Sequence, residues 1–450
     1  MPLHALVGAL RLVILAWAAL AFAPLHAQEQ APPPEIVFAD VRVFDGTSKT
    51  LSQRVDVLVR GNVIAAIGQD VAQPGPGTIV IEGRGRTLMP GLIDNHVHMM
   101  FNSLSPAQML EPDMGLEKVM QLSAGQARAM LLRGFTAVRD VGGPSFELKR
   151  LIDSGRVIGP RIWPSGPMIS QTSGHADLRL PDEPSRRFTG KIPRAEQVWA
   201  SVIADGRAEV LTAVRENLRL GASQIKIAAG GGTSSEYDPL DVTQYTLDEM
   251  KAAVDAASDW NTYVTVHAYH PKSVRRAIEA GVTVIEHGNL LDEDTLRLMA
   301  DKGVWLSAQM LVESTEAMDP RRREKRRPVI EGQKRVWPMA KRLGVKLAWG
   351  TDFLFEPGLN AQQNAYLLRL KPYFTPAELL RLATHDNAQL LALSGPRTPY
   401  EGRLGVVEEG ALADLILVEG DPLAEIDLIA DPERNFAVIM KDGRIVKGAR

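Results

Sequence analysis

Between residues 89 and 400 the chain repeats one pattern: a short apolar run, then an amphipathic stretch. A buried run followed by a helix marks a parallel sheet, because parallel neighbours need a crossover and a helix supplies it. The runs read as strands at 91–98, 136–141, 161–166, 224–229, 263–268, 282–288, 304–310 and 346–352. Stretches such as "LDEMKAAVDAASDW" and "PKSVRRAIEAG" lie between them, with apolar residues at helical spacing. Units of this kind in unbroken succession predict an α/β chain built on a TIM (β/α)8 barrel over 89–400, rather than an open doubly wound sheet. The segment 167–205, after the third strand, reads as an insertion of lid or substrate-loop length.

The flanks have a different texture. "VDVLVRGNVIAAIG" and "FAVIMKDGRIVKG" alternate apolar and polar residues and end on glycine, as antiparallel strands do. We expect a small β-sandwich domain assembled from both chain ends, from residues 36–88 and 401–450 together. Ahead of it, "LVILAWAALAFA" within residues 1–27 reads as a signal peptide cleaved after Ala27. The apolar run falls short of the ~20 residues that span a bilayer, so a retained anchor is the weaker reading. A Pro-rich linker, "QEQAPPPE", fills 28–35. The expected location is therefore secreted or periplasmic. Net charge is −3, which points to no nucleic-acid partner and no stable membrane insertion after cleavage. The chain has no cysteine, so a transition-metal site here needs His, Asp, Glu or a modified Lys.

Candidate ligands fall at strand ends. His96 and His98, one residue apart in "DNHVH", share one face of the first strand. Lys226 lies in the fourth, His267 in the fifth, His287 in the sixth, and Asp352 is read as the last residue of the eighth. A barrel gathers the C-terminal strand ends around one axis. Lys226 is flanked by Ile225 and Ile227, so it points to the opposite face from them. A bare ammonium there is costly, and burial lowers its pKa toward a reactive neutral amine. Carbon dioxide would convert that amine to a carbamate, a carboxylate-like anion able to bridge two cations.

This set resembles the amidohydrolase superfamily. The D-x-H-x-H motif is Asp94, His96 and His98, the strand-four lysine is Lys226, and "VHAY", "IEHG" and "WGTD" supply His267, His287 and Asp352. "LMPGLIDNHVH" and "GALADLILVEGDP" match at entry and exit, so the likeness spans residues 36–450. It implies two divalent metal ions, with zinc suited to nitrogen and oxygen ligands. His96, His98 and Asp352 would hold the more buried ion, His267 and His287 the second, and carbamylated Lys226 would bridge them. Asp352 would also be the catalytic proton carrier. Asp94 lies deeper and reads as support. The resemblance further assigns substrate contacts to His175, in "QTSGHADLR", and to Tyr269.

The bridging lysine separates this chain from mononuclear deaminases and favours amide, ester or lactone hydrolysis. The texture is similar to secreted Xaa-Pro dipeptidase-like, carboxypeptidase-like and ochratoxin-degrading members. The implied function is metal-dependent hydrolysis of N-acyl amino acids or dipeptides, releasing the C-terminal amino acid. Ochratoxin A, yielding ochratoxin alpha and phenylalanine, is one candidate substrate. An Xaa-Pro dipeptidase, or a lactonase or esterase on the same centre, is the alternative; a homo-oligomer is also implied. "AAGGGTSS" (228–235) lacks the G-K-[ST] of a phosphate loop and reads as backbone approaching the site. "RRREKRR" (321–327) reads as a solvated helix face, with attraction of an anionic substrate as the alternative.

Overall fold

Apolar runs build strands at both chain ends, and hydrogen bonds join these strands to one another. The computed structural model describes residues 35–448 apart from 70, 72–74, 76, 110, 112, 113, 236 and 313–317. The signal segment 1–27 and linker residues 28–34 lie outside the described residues. Sheet order is Arg444–Lys447, Phe436–Lys441, Leu415–Val418, Thr87–Pro90, Glu35–Val43, Val55–Arg60, Val63–Gly68, with Ile79–Glu82 also paired to Glu35–Val43. These eight strands from both chain ends form one continuous hydrogen-bonded set of mixed direction. The reason is the strand Glu35–Val43, whose register shifts between Phe38 and Val41. Its first half pairs with Val55–Arg60 and Ile79–Glu82, its last residues with Thr87–Pro90. Asp40 takes a positive φ of 54° within the shift, as a bulge requires. The hairpin after Phe436–Lys441 turns through Asp442 (φ 53°) and Gly443 (φ 68°), the two left-handed positions of a tight primed turn. The terminal sheet is pinned to the middle of the chain by Arg161, whose guanidinium lies 3.0 Å from Asp414 and 2.7 Å from Asp442.

The middle strands are β1 (Leu92–Val97), β2 (Phe135–Asp140), β3 (Arg161–Pro164), β4 (Ile225–Ala228), β5 (Val264–Ala268), β6 (Val284–His287), β7 (Trp305–Ala308) and β8 (Lys346–Trp349). All pair in parallel, but in two sheets: β1 to β3 form one, and β4 to β8 form the other with Met168–Ser170 and Ser201–Ile203. The insertion 167–205 therefore supplies two short strands that a loop reading missed. Each is only three residues long, too short to show a period.

Side-chain amides bridge both gaps between the sheets. Between β8 and β1, Asn387 donates to Ile93 O (2.7 Å) and Trp349 O (2.9 Å) and accepts from Trp349 N–H (3.0 Å). Between β3 and β4, Gln224 donates to Asp140 O (3.1 Å) and Trp163 O (3.0 Å). The connecting helices begin on local caps: Thr246 and Glu249 form a capping box before Leu247–Ser258, and Asp292 and Asp319 cap Glu293–Lys302 and Pro320–Arg342. No helix among the described residues is long and apolar enough to cross a membrane.

Asn387 is fully buried, so its loss would leave three strand-end groups unsatisfied. Asn387→Ala should lower unfolding free energy by about 3 kcal/mol, read as a shift in the urea midpoint with an unchanged slope.

Candidate functional site

The alternation of β1 places Asp94, His96 and His98 on one side, all buried. Asp94 is the base of the arrangement. Its carboxylate accepts from Thr351 N–H (3.0 Å), Thr351 Oγ1 (2.7 Å), Gln363 Nε2 (2.9 Å) and His96 N–H (3.1 Å). Burial raises its pKa and these donors work against the rise. The same bonds fasten the turn after β8 to β1, where Asp352 N–H also donates to His96 O at 2.8 Å. β8 ends at Trp349, so Asp352 lies three residues beyond the strand rather than at its end. That turn swings its carboxylate across the mouth of β1. Asp352 (φ 55°) and His287 (φ 74°) both occupy left-handed backbone. Strain of this kind concentrates at functional sites.

Three histidines converge on that carboxylate. His96 Nε2 lies 3.3 Å from Asp352 Oδ1, His98 Nε2 lies 3.2 Å from it, and His287 Nδ1 lies 3.8 Å from Oδ2. Ligand atoms of His96, His287 and Asp352 all fall within 4.8 Å of one another, a spacing that one metal ion could hold. His267 stands beside His287, ring centroids 4.4 Å apart, with its Nε2 3.2 Å from Gly231 O. Lys226 is 1% exposed and lines the same cavity. Burial lowers its pKa to about 8, against the pull of Glu286 and Asp352. Burial likewise holds His267 and His287 well below the usual imidazole range, so both are neutral and carry a lone pair for a cation. For Asp352 burial acts upward, but His96 and the hydrogen bonds from His96 and His98 keep it ionised, well below the usual carboxylate range. Neutral imidazoles, an ionised carboxylate and a depressed lysine form a donor set that fits divalent cations.

The two expected substrate contacts reach the same place. His175 stacks on His267 at 3.7 Å between centroids, with its Nδ1 2.7 Å from Ser235 Oγ and 3.3 Å from Asp238 Oδ2. Gly232 permits this approach: a Cβ there would sit 2.0 Å from the His175 ring. Tyr269 is buried between His267 and His287, at 5.1 and 5.0 Å, and burial raises its pKa. The cavity among these groups has a free volume of about 30 Å³. His385 pairs with Asp386 at 2.8 Å and His270 immediately precedes the helix Pro271–Ala280; neither lines the cavity.

The family model described as "Amidohydrolase family" matches residues 87–447, most of the chain. The chain belongs to the amidohydrolase family. It is a hydrolase, and metal dependence is typical of amidohydrolases. The ochratoxinase of Aspergillus niger is 29% identical over 409 residues, covering 87% of this chain and 82% of that one. A solved prolidase, complexed with N-methylphosphonate-L-proline, is 33% identical at TM-score 0.83, covering 92% of this chain and 100% of that one. A solved Xaa-Pro dipeptidase with bound methionine is 30% identical at TM-score 0.78, with coverage of 92% and 100%.

This amidohydrolase also carries a supporting layer that the motif reading missed. Glu286 accepts from Arg139 Nη2 at 2.6 Å and meets His96 Nδ1 at 2.8 Å, all three fully buried. His98 Nδ1 meets Gly142 O at 3.2 Å. The available signal was a charged residue inside an apolar strand: Glu286 in "VIEH" and Arg139 in "AVRD". Orienting partners of this kind set ligand affinity. Glu286→Gln should weaken the affinity of this candidate site for divalent cations roughly 10- to 100-fold, measured by competition with a chromogenic chelator.

Proposed function

We propose that this chain is a binuclear metal-dependent amide hydrolase that releases the C-terminal amino acid from N-acyl amino acids or dipeptides. Ochratoxin A, cut to ochratoxin alpha and phenylalanine, is within that class. The observation that carries the reading is the convergence of His96, His98 and His287 on Asp352, with buried Lys226 and His267 beside them. The ochratoxinase and prolidase relatives support the substrate class. We read the two parallel sheets as one (β/α)8 barrel, because both gaps are bridged and the strand ends share one cavity.

In this reading His96, His98 and Asp352 would hold one ion, His267 and His287 would hold the other, and Lys226, as a carbamate, would serve both. Zinc suits this donor set. When bound, such ions polarise the scissile carbonyl and acidify water. The chain's own groups do the rest. Asp352 takes the proton from the attacking water and delivers it to the leaving nitrogen. His175 and Tyr269 direct hydrogen-bond donors at the substrate; Tyr269 stays protonated because burial raises its pKa. Packing of His175 on His267 and of Leu311 and Leu354 around the cavity limits water. The prolidase neighbour favours the dipeptidase form of the reading, and an ester or lactone panel run beside the amide panel separates the alternative chemistry. The apolar segment 1–27 supports export to the periplasm or medium, which cell fractionation with and without that segment tests. A homo-oligomer, proposed on the family resemblance alone, is tested by light scattering.

Four outcomes follow. Purified zinc-loaded protein should release phenylalanine from ochratoxin A and N-acyl-phenylalanine; release from neither sinks the substrate class. Chelation should abolish the activity and zinc should restore it. Lys226→Ala should reduce turnover at least about 1,000-fold and cut bound metal from two ions toward one. At a pKa of about 8, raising pH from 7 to 8 increases the neutral amine of Lys226 roughly fivefold. Reactivation of the apo-protein at fixed dissolved carbon dioxide should therefore speed up with pH across this window, followed as recovered activity.

A further inference from the structure

The basic run 321–327 does not lie wholly in solvent. It opens the helix Pro320–Arg342, capped by Asp319. Helical periodicity sends Arg322 and Arg326, one turn apart, to the same side. That side lines the cavity that holds the histidines, Lys226 and Asp352. Arg326 is 3% exposed, and the Arg322 side chain retains 25% of its exposure. Both guanidinium groups meet one carboxylate oxygen: Glu356 Oε1 lies 3.1 Å from Arg322 Nη2 and 3.6 Å from Arg326 Nη1. Arg326 Nη2 also donates to Val312 O at 3.2 Å. The Nε–H groups of both arginines are buried and have no hydrogen-bond partner among the described residues. Two cations thus share one anion, and two buried donors stay unused on residues that line the cavity. Buried donors are ordinarily satisfied, so an unused pair calls for an acceptor that arrives from outside.

We propose that Arg322 and Arg326 form the recognition site for the free carboxylate of the substrate. Glu356 is the internal counter-ion that keeps the two guanidinium groups aligned. This rests on the amide-hydrolase reading and narrows it to anionic substrates with a free carboxylate on the released amino acid. The two oxygens of a carboxylate match the Nε–H and Nη–H edge of a guanidinium, and one more negative charge balances the pair. A neutral ester, lactone or carboxamide offers no charge for the pair to balance.

Arg322→Gln is the primary variant, because its side chain is partly exposed and its loss leaves the buried Arg326 in place; Arg326→Gln and a melting curve accompany it. Cleavage of N-acetyl-phenylalanine is compared with that of its C-terminal carboxamide. In the wild type the acid should be preferred; Arg322→Gln should lower kcat/KM for the acid roughly 100-fold, mainly through KM, and leave the carboxamide nearly unchanged. Arg322→Lys, which keeps charge but loses the fork, should recover only part of that loss. An acid preference unchanged in both Gln variants overturns the proposal while leaving the amide-hydrolase reading intact. If the wild type cleaves neither compound, that reading fails by itself. Calorimetry on the zinc-loaded protein with L-phenylalanine and L-phenylalaninamide then decides the arginine pair. A preference for the carboxylate that disappears in Arg322→Gln supports it; a preference absent from the wild type or retained in the variant overturns it.

Discussion

Glu286 sits between the Arg139 guanidinium and the His96 imidazole, and all three are out of reach of solvent. Buried charges persist only when paired and fully hydrogen-bonded, and here each group answers the others. Burial raises the Glu286 carboxyl, but Arg139 and His96 bring it well below its usual range. An ionised Glu286 accepts from His96 only if Nδ1 carries the proton, and this leaves Nε2 as the nitrogen turned toward Asp352. Arg139 Nε donates to Asn95 O at 2.7 Å, and Thr265 Oγ1 donates to Glu286. One ion pair therefore ties β1, β2, β5 and β6 together and sets the orientation of the His96 ring at the same time.

Much of the site was legible in the sequence because ligand chemistry is unforgiving. His96, His98, Lys226, His267, His287 and Asp352 are residue types with few substitutes, and strand parity says which face they share. The layer beneath was harder to see. Arg139 and Glu286 break the rule that buried strands are apolar, and only their partnership across the fold explains them. Asn387 and Gln224 replace backbone pairing at the two gaps, a role that leaves no periodic trace. The basic run 321–327 was read as one surface, yet a helix divides it, turning Arg322 and Arg326 inward. The terminal strands show the same limit. Alternation reveals strands but not the register shift in Glu35–Val43 that merges two ladders into one sheet.

The site is also mechanically tense. Asp352 and His287 hold left-handed backbone without being glycine, each at a cost of roughly 1–3 kcal/mol. The surrounding bonds hold them there: Thr351 to Asp94, Asp352 N–H to His96 O, and Gly288 N–H to Ala268 O at 2.9 Å.

The terminal sheet has a consequence for the order of events during synthesis. Strand Thr87–Pro90 pairs with Leu415–Val418, and Arg161 waits for Asp414 and Asp442. The ribosome adds ~5–20 residues per second, so the early strand stands without its neighbour for roughly 15 to 65 seconds. During that interval its backbone edge is open to wrong partners, including the same segment on another nascent chain. Fast, complete translation shortens that interval, and a chaperone that covers the first ninety residues or so shields the open edge through it.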